Sequence, residues 1–175
     1  VVEAFEAAAT AAGLPDEGPD RQRARQYVLD TMGQSKIVVF RALFGDEGLA
    51  QRANAAFEDA YAALIADGRA VPIPGAAESL SRLRDGGIRV ALTTGFSPDT
   101  QEKLIAALGW HDLADLVLAP GPGVRGRPYP DLILTALLRL GADSVHAVAA
   151  LGDTANDIES ALRAGCSVAA GTLTG

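Results

Sequence analysis

Scarcity is the first information this sequence carries. Of 175 residues one is cysteine, one methionine and one tryptophan, and aromatic residues make up 5%. A single thiol, Cys166, excludes an internal disulfide framework and fits a reducing compartment. Its small apolar character suits a buried position at the start of a strand. No apolar run approaches the roughly 18 residues that a membrane span needs. No signal-peptide pattern opens the chain either, so the expected location is the cytoplasm, with no membrane partner. Blocks of positive charge are also missing: the net charge is −7 with no Lys/Arg-rich run. Nothing here attracts a phosphate backbone, and nucleic acid is excluded as a partner. Lysine is scarce as well, with only Lys36 and Lys103 among the 15 cationic Lys and Arg residues.

What is present is ordinary globular material, 49% hydrophobic and 21% charged, in a length that suits one core-forming domain plus an insertion. Two periodicities divide it. From position 1 to about 70 the segments "VVEAFEAAATAAG", "DRQRARQYVLDTM", "KIVVFRALFG" and "EGLAQRANAAFEDAYAALIADG" have helical spacing between Gly, Pro and Ser punctuation. A small all-helical lobe is expected. "VPIPGA" then acts as a stiff connector, because two prolines flank Ile73. From 71 to 175 helices alternate with short apolar runs, "IRVALTT", "DLVLA", "VHAVAAL" and "SVAAG". That alternation predicts right-handed βαβ units and an α/β, Rossmann-like three-layer body on a parallel sheet.

In such a sheet, ligands bind beyond the carboxyl ends of the strands. The first of these strands ends at Thr93, Thr94 and Gly95. The second leads into "PGPGVRGRPYPD", with Arg125 and Arg127, and the third ends at Gly152 and Asp153. Hydroxyl, guanidinium and carboxylate therefore meet at one rim, a set suited to phosphoryl chemistry. The Thr94 hydroxyl and the N–H groups opening the next helix, from Gly95 on, can donate to phosphate oxygens, and Arg127 can pair with the same oxygens. Asp153 can bind Mg²⁺ through oxygen. In "LGDTANDIES" two carboxylates stand four residues apart, so Asp153 and Asp157 are candidate ligands of one hard cation. Thr154 and Asp157 also fit a helix-capping pattern, which leaves Asp153 unexplained. "GPGVRG" matches G-x-G-x-x-G but runs into "RPYP" rather than a helix, so no dinucleotide site is expected. His111 and His146 fall off the rim and read as structural or solvated.

The order "VALTTG", "GRPYPD", "LGDTAND" behind a helical lobe resembles the haloacid dehalogenase superfamily of phosphohydrolases. The resemblance implies a C1-type all-helical cap at 1–70 inserted into a Rossmann-like core at 71–175. It implies Mg²⁺ as cofactor, bound by Asp153 with Asp157 beside it, and a small phosphorylated or phosphonate metabolite as substrate. Thr94 and Arg127 fall on the second and third motifs. Arginine in "GRPYP" resembles the phosphonoacetaldehyde hydrolase (phosphonatase) branch. "TMGQSK" at 31–36 resembles that branch's cap segment M-G-x-x-K, which implies a substrate pocket of Met32, Gly33, Lys36 and Phe96 and a Schiff base on Lys36. Only lysine offers an amine that can lose its proton and attack a carbonyl. Two positions depart from the branch, Val39 where it has histidine and Phe96 where it has tyrosine. "GQSK" equally resembles a specificity loop whose basic residue grips an anion, and on that view Lys36 binds without reacting in a phosphate monoester phosphatase. A homodimer through the cap is a further expectation.

The superfamily's first motif, D-x-[DA]-G-T after a strand, supplies its nucleophile and is missing from these residues. Asp16 and Asp46 lie between helices with no strand before them and do not substitute. The expectation is a portion of a longer chain, with "GTLTG" opening a loop that continues. A chain that truly begins at Val1 would instead be an inactive binding protein.

Overall fold

Alanine and phenylalanine build the first half. In the computed structural model, which describes residues 1–173, four helices run in sequence: α1 (Val2–Ala11), α2 (Pro19–Asp30), α3 (Lys36–Phe44) and α4 (Glu47–Ala66). The Thr174 and Gly175 of the "GTLTG" segment lie outside the described residues. Helices α1 and α4 approach closely because Ala4, Ala8, Ala9, Ala50 and Ala53 leave little side-chain bulk between them, and all are fully buried. Phe5, Phe40 and Phe57 fill the remaining volume, with the Phe40 and Phe57 rings edge-to-face at 5.9 Å. Local chemistry agrees with this packing. Asp46 accepts from Leu49 N at 2.7 Å to start α4, and Gly45 ends α3 at a φ of 66°.

Across 71–75 the chain is non-helical, as the two prolines dictate, and the second half then alternates as expected. Its order is α5 (Ala76–Asp85), β1 (Ala91–Thr93), α6 (Pro98–Leu108), β2 (Leu116–Leu118), α7 (Asp131–Leu140), β3 (Ala149–Gly152), α8 (Ala155–Ala164) and β4 (Val168–Gly171). Strands β1 and β2 pair in parallel from Ala91↔Leu116 to Thr93↔Leu118, and β3 and β4 pair in parallel from Ala149↔Val168 to Gly152↔Gly171. Each pair forms its own two-stranded sheet among the described residues.

Two strands are shorter than their apolar runs. The run at 145–151 begins as a 3₁₀ turn, Val145–Ala147, because Ser144 Oγ accepts from His146 N at 3.1 Å and draws the backbone away from extension. Ahead of β1, the Asp115 carboxylate takes the Val90 N–H at 2.8 Å while Val90 O accepts from Asp115 N at 2.8 Å, so Val90 meets the next strand partly through a side chain. No helix among the described residues is long and apolar enough to cross a membrane.

Candidate active site

The ends of β1 and β3 and the loop after β2 open on one cavity of about 870 Å³. Thr94 continues β1 by donating its N–H to Leu118 O at 3.0 Å, and its hydroxyl oxygen accepts from Phe96 N at 3.2 Å. The turn into α6 is therefore held by the same residue that presents an O–H to the cavity. Ser97 starts α6, accepting from Thr100 N, with Pro98 at its first position.

The loop between α2 and α3 lies directly on this rim. At Gly95 a Cβ would sit 2.6 Å from Gly33 O and 2.7 Å from Gln34 O, so only glycine admits the loop. Gly33 has a φ of 86°, and a Cβ there would meet Thr154 Oγ1 at 2.7 Å, so the requirement is mutual.

Arg127 ties the parts together. Its Nε pairs with Asp157 Oδ1 at 2.6 Å, Nη1 donates to Gly33 O at 3.2 Å, and Nη2 donates to Thr93 O and Oγ1, both at 2.8 Å. Asp157 is committed as well, because its Oδ2 accepts from Thr154 N at 3.0 Å and Thr154 Oγ1 at 2.5 Å in a capping box at the start of α8. The capping reading and the rim reading of Asp157 describe one carboxylate with different oxygens. Asp153 differs: it is exposed at the end of β3 and accepts no hydrogen bond from the described residues.

This difference decides how the donors fit a cation. No cluster of three or more His, Cys, Asp or Glu side chains capable of holding a metal forms among the described residues. One uncommitted carboxylate, Asp153, faces the cavity beside the hydroxyl and guanidinium. Mg²⁺ typically takes one or two carboxylates and completes its shell with water and phosphate oxygens, so this donor set fits it through Asp153. Asp157 would have to release Arg127 to become a direct ligand.

Lys36 enters the same cavity from the helical side. It is the first residue of α3 and only 8% exposed. Its Nζ donates to Gln34 O at 3.4 Å and stands 6.0 Å from the centre of the Phe96 ring. Burial, and after it the positive charge of Arg127, lower its ammonium pKa to about 8. The dipole at a helix N-terminus acts in the same direction. Phe96 joins the two halves, packing on Tyr61 at 4.6 Å and on Phe57 at 6.3 Å while lining the cavity.

Met32, Gly33 and Lys36 thus line the cavity from the helical half, and Thr94, Gly95 and Phe96 from the end of β1. Arg127, Asp153 and Asp157 close it from the loop after β2 and the start of α8. His111 stands apart, 3.0 Å from Glu102, and His146 is exposed in the 3₁₀ turn; neither lines the cavity. Two further residues belong to this cavity without a sequence motif to mark them: Asn156, whose amide reaches Met32 O and Gln34, and Tyr61. Asn156 stands beside Asp157 in "TAND", but a contact spanning 124 residues leaves no local pattern.

The family model of haloacid dehalogenase-like hydrolases matches residues 1–165. The chain is 35% identical over 104 residues to phosphonoacetaldehyde hydrolase of Pseudomonas fluorescens SBW25, covering 59% of this chain and 38% of that one. It is 26% identical over 151 residues to the phosphonoacetaldehyde hydrolase of Nitratidesulfovibrio vulgaris, covering 84% and 54%. Among solved structures, a phosphonoacetaldehyde hydrolase-like protein from Oleispira antarctica superposes with a TM-score of 0.77 at 25% identity, covering 94% of this chain and 63% of that one. The chain spans about a third to a half of the length of the first curated relatives it matches.

Proposed function

Because the chain belongs to the haloacid dehalogenase-like hydrolase family, we propose that it forms the helical cap, 1–70, and much of the Rossmann-like core of a Mg²⁺-dependent hydrolase. The substrate class is a small phosphonate or phosphate, with phosphonoacetaldehyde the favoured type. One observation carries this reading: a buried lysine with a lowered pKa opens onto the cavity that also holds Thr94, Arg127 and Asp153. Similarity to two phosphonoacetaldehyde hydrolases supports the phosphonate branch.

In this reading Thr94 donates its O–H to a phosphoryl oxygen while its oxygen stays bonded to Phe96 N, and the Gly95 N–H adds a second donor. Arg127 has three of its nitrogens engaged, so it offers the phosphoryl group its remaining Nη1 hydrogen and, chiefly, its charge. Asp157 holds that guanidinium in place. Asp153 would hold Mg²⁺, which when bound neutralises phosphoryl charge that the carboxylate alone would repel. At neutral pH part of the Lys36 population is the free amine, able to attack an aldehyde carbon and lose water to form an imine. The protonated imine then takes the electron pair of the breaking C–P bond. The phosphoryl acceptor in this scheme is an aspartate in a D-x-[DA]-G-T segment, which these 175 residues do not contain.

The test needs no turnover. Borohydride added with phosphonoacetaldehyde should fix an adduct on Lys36 and leave Lys103, which pairs with Asp99, unmodified. An unmodified Lys36 would remove the imine and leave the phosphate monoester reading, in which Lys36→Arg keeps activity in the full chain.

A further inference from the structure

The capping box already satisfies the start of α8, so the Asn156 side chain is not needed there. Its carboxamide instead crosses to the helical half. Nδ2 donates to Met32 O at 2.7 Å, and Oδ1 accepts from Gln34 Nε2 at 3.1 Å. Both ends of one amide are used in opposite senses, a geometry that neither aspartate nor leucine reproduces. Three hydrogen bonds join the rim to loop 31–35 among the described residues; Asn156 makes two and Arg127 the third. Lys36 follows that loop immediately and donates to its Gln34 carbonyl. Loop position and amine position are therefore one variable.

We propose that Asn156 is a positioning residue that locks loop 31–35 onto the start of α8 and thereby sets where the Lys36 amine stands in the cavity. The inference rests on Lys36 being a site residue, as argued above, but not on the imine. Without the amide clamp, the loop keeps one hydrogen bond to the rim, from Arg127, and its packing against Gly95 and Thr154. It lifts, water reaches Nζ, and the cost of burial that lowers the Lys36 pKa declines. Charged and titratable groups around Lys36 stay as they are. They are Asp30, Tyr61, Arg127, Asp153, Asp157 and the Val1 amino group in the large cavity, and Arg41 and Glu58 in a smaller one behind it.

Two readouts on Asn156→Ala test this in the full chain. Amide hydrogen exchange across 31–36 should accelerate by about tenfold or more while exchange in α1 and α4 is unchanged, which a global loss of stability would not produce. The pH midpoint for acetylation of Lys36, followed by mass spectrometry with Lys103 as internal reference, should rise by about one unit. If Asn156→Ala does not fold, Gln34→Ala removes one of the two bonds from the loop side and should show the same changes at smaller size. Unchanged exchange at 31–36 in a folded variant, or a Lys36 midpoint that does not move, overturns the proposal. A missing borohydride adduct in the unaltered protein strikes the imine alone, since loop exchange does not depend on it.

Discussion

The two halves of this molecule fill their interiors differently. Helices α1–α4 close around three phenylalanines and a bed of alanines with almost no residual exposure. The α/β half buries far less: its core cluster is Leu118, Leu132 and Ala136, and α5 buries no residue at all. Leu138, Leu151 and Leu162 there are 76%, 68% and 65% exposed. Yet most of the polar rim stands on this open half, while the dense half sends one loop across to it. Among the described residues a densely packed lobe therefore presents Lys36 to a rim carried by two strand pairs, β1–β2 and β3–β4, that are not hydrogen-bonded to each other.

Removing mass from the dense half should have the largest effect. Phe57 is 1% exposed and touches Phe40, Tyr61 and Phe96. Phe57→Ala should cost about 3–5 kcal/mol in urea unfolding, as a large cavity opens in a core that cannot collapse onto it. A loss under about 1 kcal/mol would mean that the lobe is not the stable half.

The dense half was also the more legible one. Its helices follow from a 3.6-residue apolar period with Gly, Pro and Ser punctuation, all local, whereas the Asp46 cap of α4 is a detail the structure adds. The α/β half was legible in order but less so in extent. Val145–Ala147 reads as strand by composition, and only the Ser144 side chain makes it a turn. That Thr94, Arg127 and Asp153 line one cavity follows from their places at or after strand ends. The commitment of Arg127 to Gly33, Thr93 and Asp157 does not, because those partners come from three separate segments. Asn156 was missed for the same reason.

Lys36 sharpens the comparison, since it is a charge that the dense half carries at a cost. Its pKa falls from an ordinary 10.5 to about 8 in the folded protein. Below pH 8 it is protonated in both folded and unfolded chains, and the folded state bears the whole penalty, about 3 kcal/mol. Between pH 8 and 10.5 the unfolded chain binds more protons, so stability rises with pH; above 10.5 the penalty is gone. Lys36→Met should therefore stabilise the protein by up to about 3 kcal/mol at pH 7, with the gain shrinking as the pH approaches 10.5. The measurement is unfolding free energy against pH for both proteins. A variant no more stable at pH 7 would show that the amine is well solvated, and the buried-base reading would fall with it.

The smallest effect should come from the open half. Helix α7 turns Leu132 and Ala136 inward to Leu118, and Leu138 falls on the opposite side of the helix. Truncating a side chain that already meets solvent removes little contact and leaves no cavity. Leu138→Ala should therefore change stability by no more than about 0.5 kcal/mol. The measurement is urea unfolding at two protein concentrations tenfold apart. A loss of about 2 kcal/mol or more would mean that this face is covered in solution. If the loss grew with concentration the cover would be a second molecule, because association adds stability by mass action. The contrast between a dense and an open half would then describe the isolated chain and not the protein at working concentration.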